Sequence, residues 1–146
     1  AQESRGLGDV YKRQMINNLC YYIDIYAGNN IMRTFQKKTI LLDLDGVLNE
    51  YKGDYFEYFI PPLRKDARVF LQELYNDFNV VIFTTRNTLL VNKWLEENKL
   101  SDYIHGVTNT KIPAFVHIDD RCIEFKGNYK TTIKKIKNFK PYWKTN

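Results

Sequence analysis

The sequence predicts an α/β fold: one open parallel sheet with helices on both faces. Three observations lead there. Short apolar runs rich in β-branched residues (residues 39–42, 80–83 and 114–118) alternate with segments whose apolar residues recur every three or four positions. Each run stops abruptly at polar or acidic residues, at 43, 84 and 119. The length, 146 residues, suits one domain with one core.

The elements follow in order. Lys38 to Asp43 reads as the first strand, and the turn after it begins at Gly46. The loop from Asn49 to Pro62 is rich in aromatics (Tyr51, Tyr55, Phe56, Tyr58, Phe59), and Gly53-Asp54 at its middle predicts a small β-hairpin. Pro61-Pro62 leads into a helix over Arg64 to Phe78, with Leu63, Ala67, Phe70, Leu71, Leu74 and Phe78 on one face. Val80 to Phe83 is a buried strand. Asn87 or Thr88 caps a helix that runs to about Asn98, with Leu90, Val91, Trp94 and Leu95 inward. Ile104 to Val107 and Ala114 to Ile118 read as strands three and four, and Cys122 to Phe125 as a small fifth. A last helix spans Tyr129 to Phe139, and the tail from Lys140 to Lys144 packs by its aromatics.

The N-terminus is different in kind. Residues 1–14 (AQESRGLGDVYKRQ) have no periodicity, precede a methionine and resemble translated adapter or cloning sequence, so they are set apart from the fold. Removing them takes away three positive and two negative charges, which lowers the formal charge from +5 to +4. Residues 15–37 read as a poorly specified extension, with Met15 and Met32 both available as starts. The domain proper is 38–146.

Hydrophobic content of 44% and charged content of 27% are those of an ordinary globular chain. No apolar run approaches the length needed to span a bilayer. Cys20 and Cys122 fit no metal or redox spacing, which favours a reducing, cytoplasmic setting. The lysines at 126, 130, 134, 135, 137, 140 and 144 read as a solvated face, with nucleic acid as the less favoured partner.

The chemistry gathers around Asp43-Leu44-Asp45-Gly46. Two carboxylates one residue apart at a strand end share one side of the chain and repel. Desolvating them costs more still, and a divalent cation removes both problems. In an open parallel sheet ligands sit beyond the carboxyl ends of the strands. Asp43/Asp45, Thr84 and Asp119/Asp120 are therefore expected in one crevice.

Taken together, these residues resemble the haloacid dehalogenase (HAD) superfamily of phosphohydrolases, whose sheet is three-layered and Rossmann-like. Asp43-Leu44-Asp45-Gly46-Val47 is similar to the first motif, Phe83-Thr84-Thr85-Arg86 to the second, Lys111 to the third and Ile118-Asp119-Asp120-Arg121 to the fourth. The resemblance covers about Lys38 to Phe139. The wording Ile112-Pro113-Ala114 before the fourth motif is similar to small bacterial and phage-type members without a large cap. Only residues 48–82 separate the first two motifs, and a helix takes about half, which leaves room for a flap but not a cap domain.

The resemblance implies a Mg²⁺-dependent phosphomonoester hydrolase. Asp43 is then the nucleophile that forms an aspartyl-phosphate, and Asp45 the general acid/base, its side chain off the metal. Asp43, the Asp45 backbone carbonyl and Asp120 hold Mg²⁺, with Asp119 close by. Thr84 and Lys111 hold the phosphoryl oxygens. Gly46, Thr85 and Arg86 are the remaining candidates for substrate contact. Arg86 and Arg121 are also read as ion-pair partners of the site carboxylates, and Tyr51 or Tyr55 as contacts of the leaving group. His105 and His117 have no partners at ligand spacing. An open site of this kind either accepts a bulky substrate, the partner serving as lid, or is closed by oligomerisation.

Two other classes compete. In a receiver-type phospho-acceptor the paired acids come first, the acceptor aspartate ends a middle strand and the lysine ends the last strand, an order that disagrees with this chain. A catalytically silent anion-binding protein needs no complete set of acids.

Overall fold

The computed structural model describes residues 37–144; the readings for 1–14 and for all but the last residue of 15–37 lie outside the described residues. The sheet is open and parallel: β1 (Lys38–Leu42), β2 (Phe78–Phe83), β3 (Gly106–Thr108) and β4 (Val116–Ile118), in the order β3-β2-β1-β4. Leu42 lies opposite Ile82 on one side and Ile118 on the other. Among the described residues three helices accompany it: α1 (Ala67–Asp77), α2 (Thr88–Glu97) and α3 (Tyr129–Lys137). The architecture is α/β and Rossmann-like, as the alternation of periods implies. Among the described residues no helix is long and apolar enough to cross a membrane.

The core sits between the sheet and α1 and α2. Leu42, Val80 and Ile82 share one sheet face by alternation and register. They cluster with Ala67 and Leu71 of α1 and with Val91, Trp94 and Leu95 of α2. Right-handed β1-α1-β2 and β2-α2-β3 crossovers in the same direction put both helices on that face. Asn87 caps α2, its side chain accepting from the Leu89 and Leu90 N–H groups. The Trp94 indole donates to the Pro61 carbonyl at 3.2 Å, which satisfies its one donor inside the core.

Several boundaries differ from expectation for local reasons. Arg64 cannot begin α1, because its N–H donates to the Leu48 carbonyl and Leu63 is bridged antiparallel to Asn49. The helix starts at Ala67 instead, after Asp66 in the left-handed region (φ 66°). Phe78 and Asn79 join β2, paired with Lys38 and Thr39. Ile104 closes a 3₁₀ turn by donating to Ser101, so β3 begins at Gly106. No strand forms at Cys122–Phe125. The face of α3 that carries Ile133 and Ile136 is exposed and buries nothing among the described residues.

The aromatic segment is a loop, not the expected hairpin. Its base is closed by the Asn49–Leu63 bridge and by the Glu50 N–H donating to Pro62. Beyond that the carbonyls of Phe56 and Phe59 accept from Arg86 Nη1 at 2.9 and 3.0 Å, which removes them from any cross-strand ladder.

Candidate functional site

The sheet order creates a switch point. The chain leaves β1 toward β2 and β3, then returns to the opposite side of β1 as β4. The crevice beyond the carboxyl ends of β1 and β4 is where such sheets bind ligands. Asp43 follows β1 directly, Asp119 follows β4 and Thr84 follows β2. A cleft of about 240 Å³ is lined by Asp43, Asp45, Tyr51, Tyr55, Thr84 and Arg121, with Phe83, Thr85 and Asp119.

Asp43, Asp119 and Asp120 converge, each offering a carboxylate oxygen within 4.8 Å of the others. Burial pushes the Asp43 carboxyl up to about 7, Asp119, Asp45 and Asp120 add to the rise, and the Leu44 N–H that donates to its Oδ1 at 2.8 Å opposes it. The Asp120 side chain is only 1% exposed. Its Oδ2 accepts from the Trp143 indole at 2.5 Å, whereas its Oδ1 is buried with no hydrogen-bond partner. Arg121 Nε stands 3.8 Å from that Oδ1, outside hydrogen-bond range.

These residues fit a divalent cation. All three donors are hard carboxylate oxygens, the set that Mg²⁺ prefers. The cation would give the Asp120 Oδ1 the partner that no hydrogen bond supplies, offset the burial that chiefly raises Asp43 and relieve the repulsion that adds to it. Gly46 makes the approach of Asp120 feasible. Its φ is +83°, and a Cβ there would fall on the Asp120 carboxylate and touch the Trp143 indole nitrogen.

Asp45 lies apart from this cluster. Its Oδ2 accepts from Arg86 Nε at 2.7 Å and its Oδ1 from Asn49 Nδ2 at 2.8 Å. Asn49 is fully buried, and its Oδ1 accepts from the Gly46 and Tyr51 N–H groups. Arg86 is 1% exposed, and Tyr55 lies 4.8 Å below its guanidinium. Its Nη2 is buried without a hydrogen-bond partner. Arg86 thus ties Asp45 to the aromatic loop and does not line the cleft itself.

The other expected residues are distributed unevenly. Thr84 is 4% exposed and lines the cleft, its Oγ1 accepting from the Arg86 N–H at 3.3 Å. Thr85 lines it too and is exposed. Lys111 is exposed on the connection between β3 and β4 and is not among the residues that line the cleft. The Leu44 and Gly46 N–H groups donate to the Asp43 and Asn49 side chains. The Gly46 carbonyl accepts from Arg64 at 3.2 Å and from the Tyr142 hydroxyl at 2.5 Å.

Two participants, Asn49 and Trp143, have no site role in the sequence analysis, and a third, Arg121, has a wider one than expected. Asn49 carries a local signal, four residues after Asp45, as an Asx side chain that organises a turn. Arg121 was read as an ion-pair partner; it also lines the cleft, between the rings of Tyr51 (5.1 Å) and Trp143 (5.6 Å). Trp143 has no local signal, because its partner is on another element.

No protein-family model matches the chain, and no curated protein does either. A solved structure of a conserved protein from Bacteroides thetaiotaomicron is similar at 18% identity and a TM-score of 0.48, over 70% of this chain and 92% of that one. A likeness at that level says nothing of function.

Proposed function

We propose that this chain is a Mg²⁺-dependent phosphomonoester hydrolase of the HAD type, working through an aspartyl-phosphate on Asp43. One observation carries the reading: the buried Asp120 carboxylate, whose Oδ1 no hydrogen bond satisfies, converging with Asp43 and Asp119 at the switch point. Asp43, Asp120 and Asp119 would hold the ion. When bound, it supplies positive charge that neutralises phosphate oxygens and keeps Asp43 ionised.

Asp43 attacks phosphorus, and the bond from phosphorus to the ester oxygen breaks. The leaving oxygen takes a proton from Asp45. Water then attacks the phosphorus of the aspartyl-phosphate and gives its proton to Asp45, which releases phosphate and restores the Asp43 carboxylate. For this, one Asp45 oxygen must turn from Arg86 or Asn49 toward the leaving group. The Thr84 hydroxyl and Arg121 hold phosphoryl oxygens in the cleft. Lys111 shares that work only where the 109–115 connection carries it to the cleft.

The test is Mg²⁺-dependent phosphate release from an aryl phosphate and a panel of natural phosphomonoesters. Asp43→Asn and Asp45→Asn are the controls, and each is expected to lose at least a hundredfold in rate. Undiminished release by Asp43→Asn contradicts the mechanism. The engagement of both Asp45 oxygens favours a second reading, a phosphoryl acceptor that does not turn over. Stable phosphorylation without phosphate release selects it.

A further inference from the structure

We infer that Trp143 positions the metal ligand Asp120, so that the segment Tyr142–Lys144 is part of the cation site; this rests on the metal reading above. The geometry is specific. The Trp143 indole N–H donates to Asp120 Oδ2 at 2.5 Å and leaves Oδ1 buried and without a hydrogen-bond partner. An indole N–H only donates, so it pins an acceptor oxygen and fixes the rotation of the carboxylate. An N–H that donates to an ionised carboxylate makes a charge-assisted bond, stronger than a bond between two neutral groups. One oxygen is therefore held by the tail, and the other is left without a hydrogen bond in a carboxylate that converges with those of Asp43 and Asp119.

The tail is itself anchored on the first motif. Tyr142 donates to the Gly46 carbonyl at 2.5 Å, the Arg64 guanidinium lies 5.0 Å from the Tyr142 ring, and Trp143 meets Tyr51 edge to face at 6.1 Å. The bond from Trp143 to Asp120 passes directly over Gly46, where any side chain would displace it. The tail thus joins the ends of β1 and β4, the two elements that carry the acids. Trp143 acts through Asp120 and is a positioning residue.

The test uses Mn²⁺ alone as probe, with free Mn²⁺ counted by electron paramagnetic resonance. Trp143→Phe keeps the ring and removes the donor. Its Mn²⁺ affinity is expected to fall about tenfold to a hundredfold, the usual effect of losing a ligand's hydrogen-bond partner. The Mg²⁺ concentration for half-maximal rate should rise by a similar factor, with kcat at saturating Mg²⁺ within about twofold. Equal Mn²⁺ affinity in Trp143→Phe and the unaltered protein, with Asp120→Asn weakened, overturns this inference alone. No Mn²⁺ binding by the unaltered protein overturns the metal reading and this inference with it. A second measurement needs no variant: the Trp143 indole proton should shift on Mg²⁺ titration in nuclear magnetic resonance spectra. An unmoved indole proton under saturating Mg²⁺ overturns the positioning role.

Discussion

Asp43 carries the clearest consequence at the scale of single residues. Its carboxyl is raised to about 7 from an ordinary 3.8, so between those values the folded, metal-free protein holds a proton that the unfolded chain has lost. Stability from this group is therefore full below about pH 4 and declines as pH rises through 7. His105 works in the opposite sense. Burial holds its imidazole below the ordinary range, with Lys37 adding to the effect, so its contribution is lost as pH falls. Asp43→Asn removes the first arm, and it should raise the melting temperature of the metal-free protein at pH 8 while abolishing turnover. Differential scanning calorimetry at pH 5 and pH 8 checks both signs. Metal binding must displace the same proton, so Mn²⁺ affinity should weaken up to tenfold per pH unit below about 7. A flat affinity between pH 5.5 and 7 would show that Asp43 is not a ligand.

Arg86 is the other decisive residue. Its guanidinium is inside, pairs with Asp45 and holds two loop carbonyls, so removing it leaves a charge and two carbonyls unmatched. Arg86→Met is expected to cost about 3–5 kcal/mol in chemical denaturation, the range for breaking one side of a buried pair.

Among the elements, α1 and α2 were legible because their periodicity is carried by residues that do enter the core. Leu71, Val91 and Leu95 are buried as the spacing requires. Leu71→Ala should cost about 2–5 kcal/mol. Asn87→Ala should cost about 1 kcal/mol through the lost cap of α2. The element that misled was the aromatic segment. Gly53-Asp54 between aromatic stretches has the local chemistry of a hairpin, but Arg86, almost thirty residues on, draws its carbonyls away. α3 shows the converse: its apolar spacing is sound, yet nothing among the described residues covers Ile133 and Ile136. Local pattern names a face without naming what it meets.

For the whole molecule, the parallel sheet and the convergence of Asp43, Thr84 and Asp119 at one end were legible. Both follow from where apolar runs stop and from the rule that places ligands beyond strand ends. The division of labour between the acids was less so. Asp45 and Asp120 have nearly the same local context, but one turns to Arg86 and the other to Trp143, across 41 and 23 residues of sequence. Side-chain direction over such distances is a property of the assembled fold. Because the proposed cation site joins β1 to β4, Mg²⁺ should stabilise the folded chain by mass action, about 2.7 kcal/mol at a hundred times its dissociation constant. Asp120→Asn should lose most of that gain in thermal unfolding with and without Mg²⁺.

The most direct test of the proposed chemistry is to trap the covalent adduct. The protein is mixed with an aryl phosphate and Mg²⁺, quenched in acid, digested and mapped by mass spectrometry. A phosphoryl group on the peptide containing Asp43, dependent on Mg²⁺ and absent in Asp43→Asn, is the predicted result. Phosphate release that proceeds with no adduct, and at full rate in Asp43→Asn, would contradict it.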